Sequence, residues 1–205
     1  MHYESLNQET KKVWERCGFL RDDFYLAGGT ALALQIGHRI SVDLDFFSPE
    51  PIKKTLVAKI EEKFNSVSVL VNTKNELTLV AENIKMTFLH YPFILKYKTV
   101  DTNIVPLASI LDIASMKAYT IGRRRSFKDY VDLYFILWGE YATLNVVISD
   151  SKEKYKEGFN DRLFCEQLTS PEDLDDEAII WLQKQQSKTN MQAFFQEKVK
   201  EFLAQ

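Results

Sequence analysis

Hydrophobic spacing divides the chain near Pro106. Ahead of that residue, short apolar or alternating runs bounded by Gly, Asn and Asp predict strands; behind it, apolar residues recur at helical spacing. An amphipathic helix is expected from about Glu4 to Cys17. Phe24 to Ala27 is an apolar run that stops at Gly28-Gly29, and Thr30 to Leu34 supplies strong helix formers behind a residue able to cap them, so strand, tight turn and helix are predicted in that order. Ser41 to Phe47 alternates, which as a strand sends Asp43 and Asp45 to one face and Val42, Leu44 and Phe46 to the other. Pro51 precedes a helix over Lys53 to Phe64, with Leu56, Val57, Ile60 and Phe64 as its apolar stripe. Three β-rich runs follow, Val67 to Asn72, Glu76 to Ala81 and Ile84 to Tyr91, joined by turns at Thr73-Lys74-Asn75 and Glu82-Asn83. Leu107 to Thr120, Tyr130 to Trp138, Lys152 to Leu168 and Glu177 to Leu203 read as helices. The expected fold class is α+β: a mixed sheet with flanking helices over residues 1–105, then a helical domain over residues 106–205 that completes a cleft.

Composition narrows the class. A chain of 205 residues with 45% apolar content can bury a sizeable core. No run approaches the eighteen or more consecutive apolar residues of a membrane helix, and the first residues lack the basic and apolar regions of a signal peptide, so no membrane association and a cytoplasmic location are expected. Cys17 and Cys165 are too few for a disulfide framework and lack zinc-site spacing. The net charge of −3 argues against a protein that coats nucleic acid nonspecifically. Charge is nevertheless concentrated: Lys117, Arg123, Arg124, Arg125 and Lys128 place five cations in twelve residues, running into Asp129 and Asp132.

The chemistry gathers between Tyr25 and Phe47. A helix that starts at two residues without Cβ lets a phosphate approach the backbone, where free N–H groups and the positive dipole end complement its charge. Phosphate binding at Gly28, Gly29 and Thr30 follows. Two carboxylates roughly 4 Å apart would repel by about 4 kcal/mol at an effective dielectric near 20, a cost that a bound divalent cation reverses. Asp43 and Asp45 suit the hard ion Mg²⁺, or Mn²⁺, which keeps some of its waters and shares its coordination with substrate phosphates. An isolated Asp-x-Asp is equally the solvated face of a strand; the glycine turn upstream is what favours the metal.

Gly28-Gly29, thirteen intervening residues and Asp43-Leu44-Asp45-Phe46 resemble the signature of the DNA polymerase beta-like nucleotidyltransferase superfamily. Gly28 to Leu32, Gly37-His38-Arg39-Ile40-Ser41, Asp43 to Phe47 and Lys128-Asp129-Tyr130-Val131-Asp132-Leu133 together resemble the AbiEii/AbiGii toxin family of nucleotidyltransferase-like proteins, over residues 20 to 140. The resemblance implies a nucleotidyltransferase-like fold and transfer of a nucleotide from a nucleoside triphosphate to an RNA acceptor such as tRNA, within a toxin-antitoxin or phage-defence module that has a cognate antitoxin. It also implies roles. Asp43 and Asp45 would hold the metal; Gly28, Gly29, Thr30, Arg39 and Ser41 would surround the phosphates; Lys117 and Arg123 would offset the charge of the transferring group; Asp129 or Asp132 would complete the site. One departure stands out, because many superfamily members carry a third metal-binding carboxylate on a later strand, and Ile84 to His90 contains no acid. Either the helical domain supplies that charge, or one metal suffices, or the chain binds a nucleotide without efficient turnover. Nucleotidylation of a small molecule or protein, and non-catalytic nucleotide binding, are the alternatives, since a fold does not choose its acceptor.

Overall fold

The computed structural model describes residues 1–124, 126–171, 174–175 and 177–204, so Arg125 of the basic cluster lies outside the described residues. Two compact units are present, Met1–Ser109 and Ile110–Gln205.

The first unit is built on a five-stranded mixed sheet in the order β1-β2-β5-β4-β3. Its strands are β1 (Tyr25–Leu26), β2 (Leu44–Ser48), β3 (Val67–Asn72), β4 (Glu76–Ala81) and β5 (Ile84–His90). β2 runs parallel to β5, with Asp45 opposite Thr87, and the other neighbours are antiparallel. The last three strands fall where alternation puts them. Glu82 and Asn83 both take positive φ, 49° and 69°, the geometry of a two-residue turn whose twist matches the strands it joins. β3 is an edge strand with an irregularity in its ladder between Val69 and Val71. One face of the sheet is dry: Leu44, Phe46, Leu77, Leu79, Met86 and Phe88 are fully buried. Phe88 stacks on Phe46 at 5.0 Å between centroids and meets Phe24 edge-on at 5.3 Å.

Helices α1 (Gln8–Glu15), α2 (Gly28–Ile36) and α3 (Leu56–Glu61) flank the sheet. The helix expected over Glu4 to Cys17 is shorter, because the Asn7 side chain accepts a hydrogen bond from the Thr10 amide at 2.7 Å and caps α1 there, leaving single 3₁₀ turns at Tyr3–Ser5 and Cys17–Leu20. Thr30 is not the cap of α2. That helix begins at Gly28 behind an extended Ala27, and Thr30 lies inside its first turn. It ends at Gly37, which takes φ 62° and returns its amide to the Ala33 carbonyl.

The second unit holds α4 (Ile110–Thr120), α5 (Phe127–Trp138), α6 (Leu144–Tyr155), α7 (Asp161–Leu168) and α8 (Lys188–Leu203) among its described residues. α4 packs on α5 and α6, and α8 packs on both of these. Leu107 is not helical, since it exchanges backbone hydrogen bonds with Val100 at 2.8 and 2.9 Å. The single helix read over Lys152 to Leu168 is two. Lys156 adopts φ 49° and Asn160 caps α7 through the Leu163 amide at 3.0 Å. Likewise α8 starts at Lys188 because Ser187 caps the Asn190 amide at 3.1 Å.

Phe88→Ala removes a ring that fills the sheet core. Its expected cost is about 3–5 kcal/mol of unfolding free energy by the usual Phe-to-Ala range, measured by urea denaturation followed by circular dichroism.

Candidate active site

The glycine turn and the second aspartate are brought together by strand pairing. β1 places Leu26 opposite Phe46, and the next amide, Ala27, donates to the Asp45 carbonyl at 3.0 Å. The chain then has to leave the sheet at once. Gly28 takes φ 68°, in the left-handed region, and a Cβ there would stand 3.0 Å from Asp45 Oδ2. Only glycine satisfies both conditions without strain or contact. The first turn of α2 therefore opens beside a carboxylate oxygen, with its unsatisfied N–H groups at the same end.

Asp43 is exposed, one residue ahead of β2, and Asp45 is half-buried within it. Leu44 and Phe46 point into the core, which leaves the Asp45 carboxylate on the opposite face. The ladder puts Thr87 beside Asp45, and among the described residues no group of three or more His, Cys, Asp or Glu is gathered for a metal. A pair of carboxylates is nonetheless a fitting donor set for Mg²⁺, which typically binds through one or two carboxylates and keeps its remaining positions for water and phosphate oxygens. Gly28, with no side chain between the helix start and Asp45, keeps room for that phosphate.

The other polar residues read around the turn lie deeper. Thr30, Ser41 and Arg39 are all buried. Thr30 Oγ1 donates to the Asp43 carbonyl and is hydrogen-bonded to Ser41 Oγ at 2.8 Å. Arg39 Nη1 donates to the Ile40 carbonyl at 3.2 Å. Two residues that sequence reasoning did not single out share this loop. Thr10 Oγ1 donates to the Val42 carbonyl at 3.2 Å, and the Ser5 carbonyl accepts the Ser41 amide at 2.9 Å. A threonine and a serine in an amphipathic helix carry no signal that would mark them.

In the second unit, Lys117 of α4 meets two carboxylates of α5, Asp129 at 2.7 Å and Asp132 at 2.5 Å, with all three side chains no more than 5% exposed. Arg124 grips Asp129 with two hydrogen bonds of 2.6 and 2.7 Å. Two cations thus balance two anions. Burial is the largest single influence on Asp129 and raises its pKa, but attraction to Lys117 and the bonds from Arg124 together outweigh it and hold the carboxyl below its ordinary range. Arg123 is exposed, lies 3.9 Å from the Tyr119 ring centroid and donates to the Tyr119 and Gly158 carbonyls. Lys128 stands 3.5 Å from Glu177. The described cations of the basic cluster therefore all have partners within the unit.

Lys117→Met leaves two buried carboxylates facing one arginine, and the loss expected is about 3–5 kcal/mol. The lowered Asp129 pKa sets a pH dependence: its contribution is present above the ordinary carboxylate value of about 3.9 and disappears as pH falls through the lower folded value. Denaturant titrations at pH 7 and pH 3 should show a stability gap between wild type and Asp129→Asn that narrows in acid.

Comparison with known proteins places these features. The family model for the nucleotidyl transferase AbiEii toxin, of type IV toxin-antitoxin systems, matches residues 12–100, which include the glycine turn and both aspartates. An uncharacterized protein of Aquifex aeolicus, aq_aa25, is 33% identical over 204 residues, covering 97% of this chain and 98% of that one. Among solved structures, an H. pylori protein assigned to the nucleotidyltransferases is similar in fold with a TM-score of 0.60 and 16% identity, covering 100% of this chain and 98% of the other. JHP933 from Helicobacter pylori gives 0.53 and 14%, with the same coverage. The glycine turn pressed on Asp45 and the sheet that carries it lie within the matched stretch, and over residues 12–100 the chain belongs to the AbiEii nucleotidyltransferase toxin family.

Proposed function

We propose that this chain transfers a nucleotide from a nucleoside triphosphate to an RNA acceptor such as tRNA, as the toxin of a module that also encodes a cognate antitoxin and serves in phage defence, in the cytoplasm. The observation that carries the reading is the 3.0 Å approach between the Gly28 position and Asp45, which sets a helix start and a carboxylate against the same small volume. Phosphate oxygens would sit on the amides of Gly28, Gly29 and Thr30. Asp43 and Asp45 would hold Mg²⁺ or Mn²⁺, which would supply positive charge to offset the charge that develops on the phosphate oxygens. The acceptor hydroxyl oxygen would form a bond to the α-phosphorus as its O–H bond gives up a proton to solvent, while the bond from the α-phosphorus to the oxygen shared with the β-phosphate breaks and pyrophosphate leaves. Arg39 and Ser41 would steady the loop beside the phosphates. Among the described residues no helix is long and apolar enough to cross a membrane.

One observation favours a second reading. Lys117, Arg124 and Lys128 face carboxylates, so these three of the four described cations on that stretch are balanced by acids and offer little to a polyanion. A protein or small-molecule acceptor fits this better.

Incubation of the protein with each α-³²P nucleoside triphosphate, Mg²⁺ or Mn²⁺, and total cellular RNA tests both. Labelled RNA from the wild type, falling by at least roughly 10²-fold in Asp43→Asn and in Asp45→Asn, is the expected result. Label on protein instead supports the second reading. No label on RNA with any nucleotide, despite nucleotide binding, overturns the RNA reading, and no label in a whole-cell extract that supplies proteins and small molecules overturns the second.

A further inference from the structure

We propose that the N-terminal segment His2–Thr10 is a positioning strap for Asp43, acting together with Thr30; the inference rests on Asp43 serving as a metal ligand as proposed above. Asp43 lies outside β2, so the sheet ladder does not fix it. What fixes it is a set of bonds to three successive residues. The Ser41 amide donates to the Ser5 carbonyl at 2.9 Å, the Val42 carbonyl accepts from Thr10 Oγ1 at 3.2 Å, and the Asp43 carbonyl accepts from Thr30 Oγ1. A hydroxyl has one proton, so with Thr30 donating to that carbonyl, Ser41 supplies the proton shared between the two hydroxyls.

The strap is itself anchored at the far end of α2. Ser5 Oγ donates to the Ala33 carbonyl at 2.9 Å, the His2 amide donates to the Leu34 carbonyl at 2.7 Å, and the His2 ring packs where a Cβ on Gly37 would stand, 2.5 Å from Nδ1. Ser5 and Thr10 are fully buried. One helix therefore carries the phosphate turn at its start, the hydroxyl that holds Asp43 in its first turn, and the strap at its end. The N-terminal residues lie outside the stretch that the family model matches, so the family pattern does not assign them this work. Ser5, Thr10 and the Thr30 hydroxyl are positioning groups: they bond the backbone of Ser41 to Asp43 and set the place of the carboxylate that would hold the metal.

The test uses Mn²⁺ as probe, with free Mn²⁺ read by electron paramagnetic resonance on Thr30→Val, Thr10→Val and Thr30→Ser proteins. Groups that orient a ligand typically govern metal affinity by about 10–100-fold. Thr30→Val should weaken Mn²⁺ binding by about 10-fold, within the lower part of that range, and Thr30→Ser should restore it. Added to Asp43→Asn, Thr30→Val should weaken binding no further, because the strap acts only through that carboxylate. Wild-type affinity in Thr30→Val, or losses that add in the double variant, overturns the strap. Absence of Mn²⁺ binding by the wild type instead removes the metal reading, and hydrogen exchange then decides the strap by itself. Faster exchange of the amides from Ser41 to Asp45 in Thr10→Val and Thr30→Val, with the β4–β5 hairpin unchanged, supports it; unchanged exchange from Ser41 to Asp45 overturns it.

Discussion

The arrangement around the aspartates depends on the antiparallel pairing of a two-residue strand. Tyr25 and Leu26 align with Phe47 and Phe46, and that alignment leaves no freedom in where the following residues go. Ala27 still bonds the sheet at Asp45, so the turn into α2 must occur within one residue, beside a carboxylate. A left-handed glycine is the solution that backbone sterics permit. The position of the glycine turn relative to Asp45 is thus a property of the sheet core rather than of a loop, and Leu26 and Phe46, both fully buried, maintain it through apolar burial.

Much of this was legible in the sequence because its signals are local. Alternation in Glu76 to Ala81 and Ile84 to His90 reports a sheet with one dry face, and the Glu82-Asn83 pair reports the turn between them. Gly28 announces a conformation that other residues avoid. The misreadings have a common cause, which is competition from short polar side chains. Asn7, Asn160 and Ser187 each start a helix later than periodicity suggests, since a side-chain oxygen that satisfies an open amide ends one segment and begins another. Thr30 looks like a cap for the same reason, but its hydroxyl is taken by a carbonyl thirteen residues away in sequence. Ser5 and Thr10 could not be found at all, because their role exists only once α1 is folded against the loop before β2.

Charge shows the same limit. Read along the chain, the stretch from Lys117 to Lys128 is a basic patch; in space, helical register folds its acids back onto it, with Asp129 and Asp132 three residues apart on α5 and facing Lys117. Counting cations in a window measures composition and not potential. The buried cluster ties α4 to α5 by fixed hydrogen-bond geometry, and the cost of desolvating it makes any single member hard to replace.

The edge strand β3 has a meaning for the protein's life in a crowded cell. From Phe64 to Thr73 there is neither a charge nor a proline, and Val69 and Leu70 are 40% and 60% exposed, which is the makeup of a strand that recruits other strands. The ladder irregularity at Leu70 interrupts it in the middle. A bulge at an edge adds twist and breaks the even row of outward donors and acceptors, so a neighbouring chain finds two short stubs in place of one flat template. That one extra residue guards the sheet edge, and its deletion would leave a flat template open to a neighbouring chain.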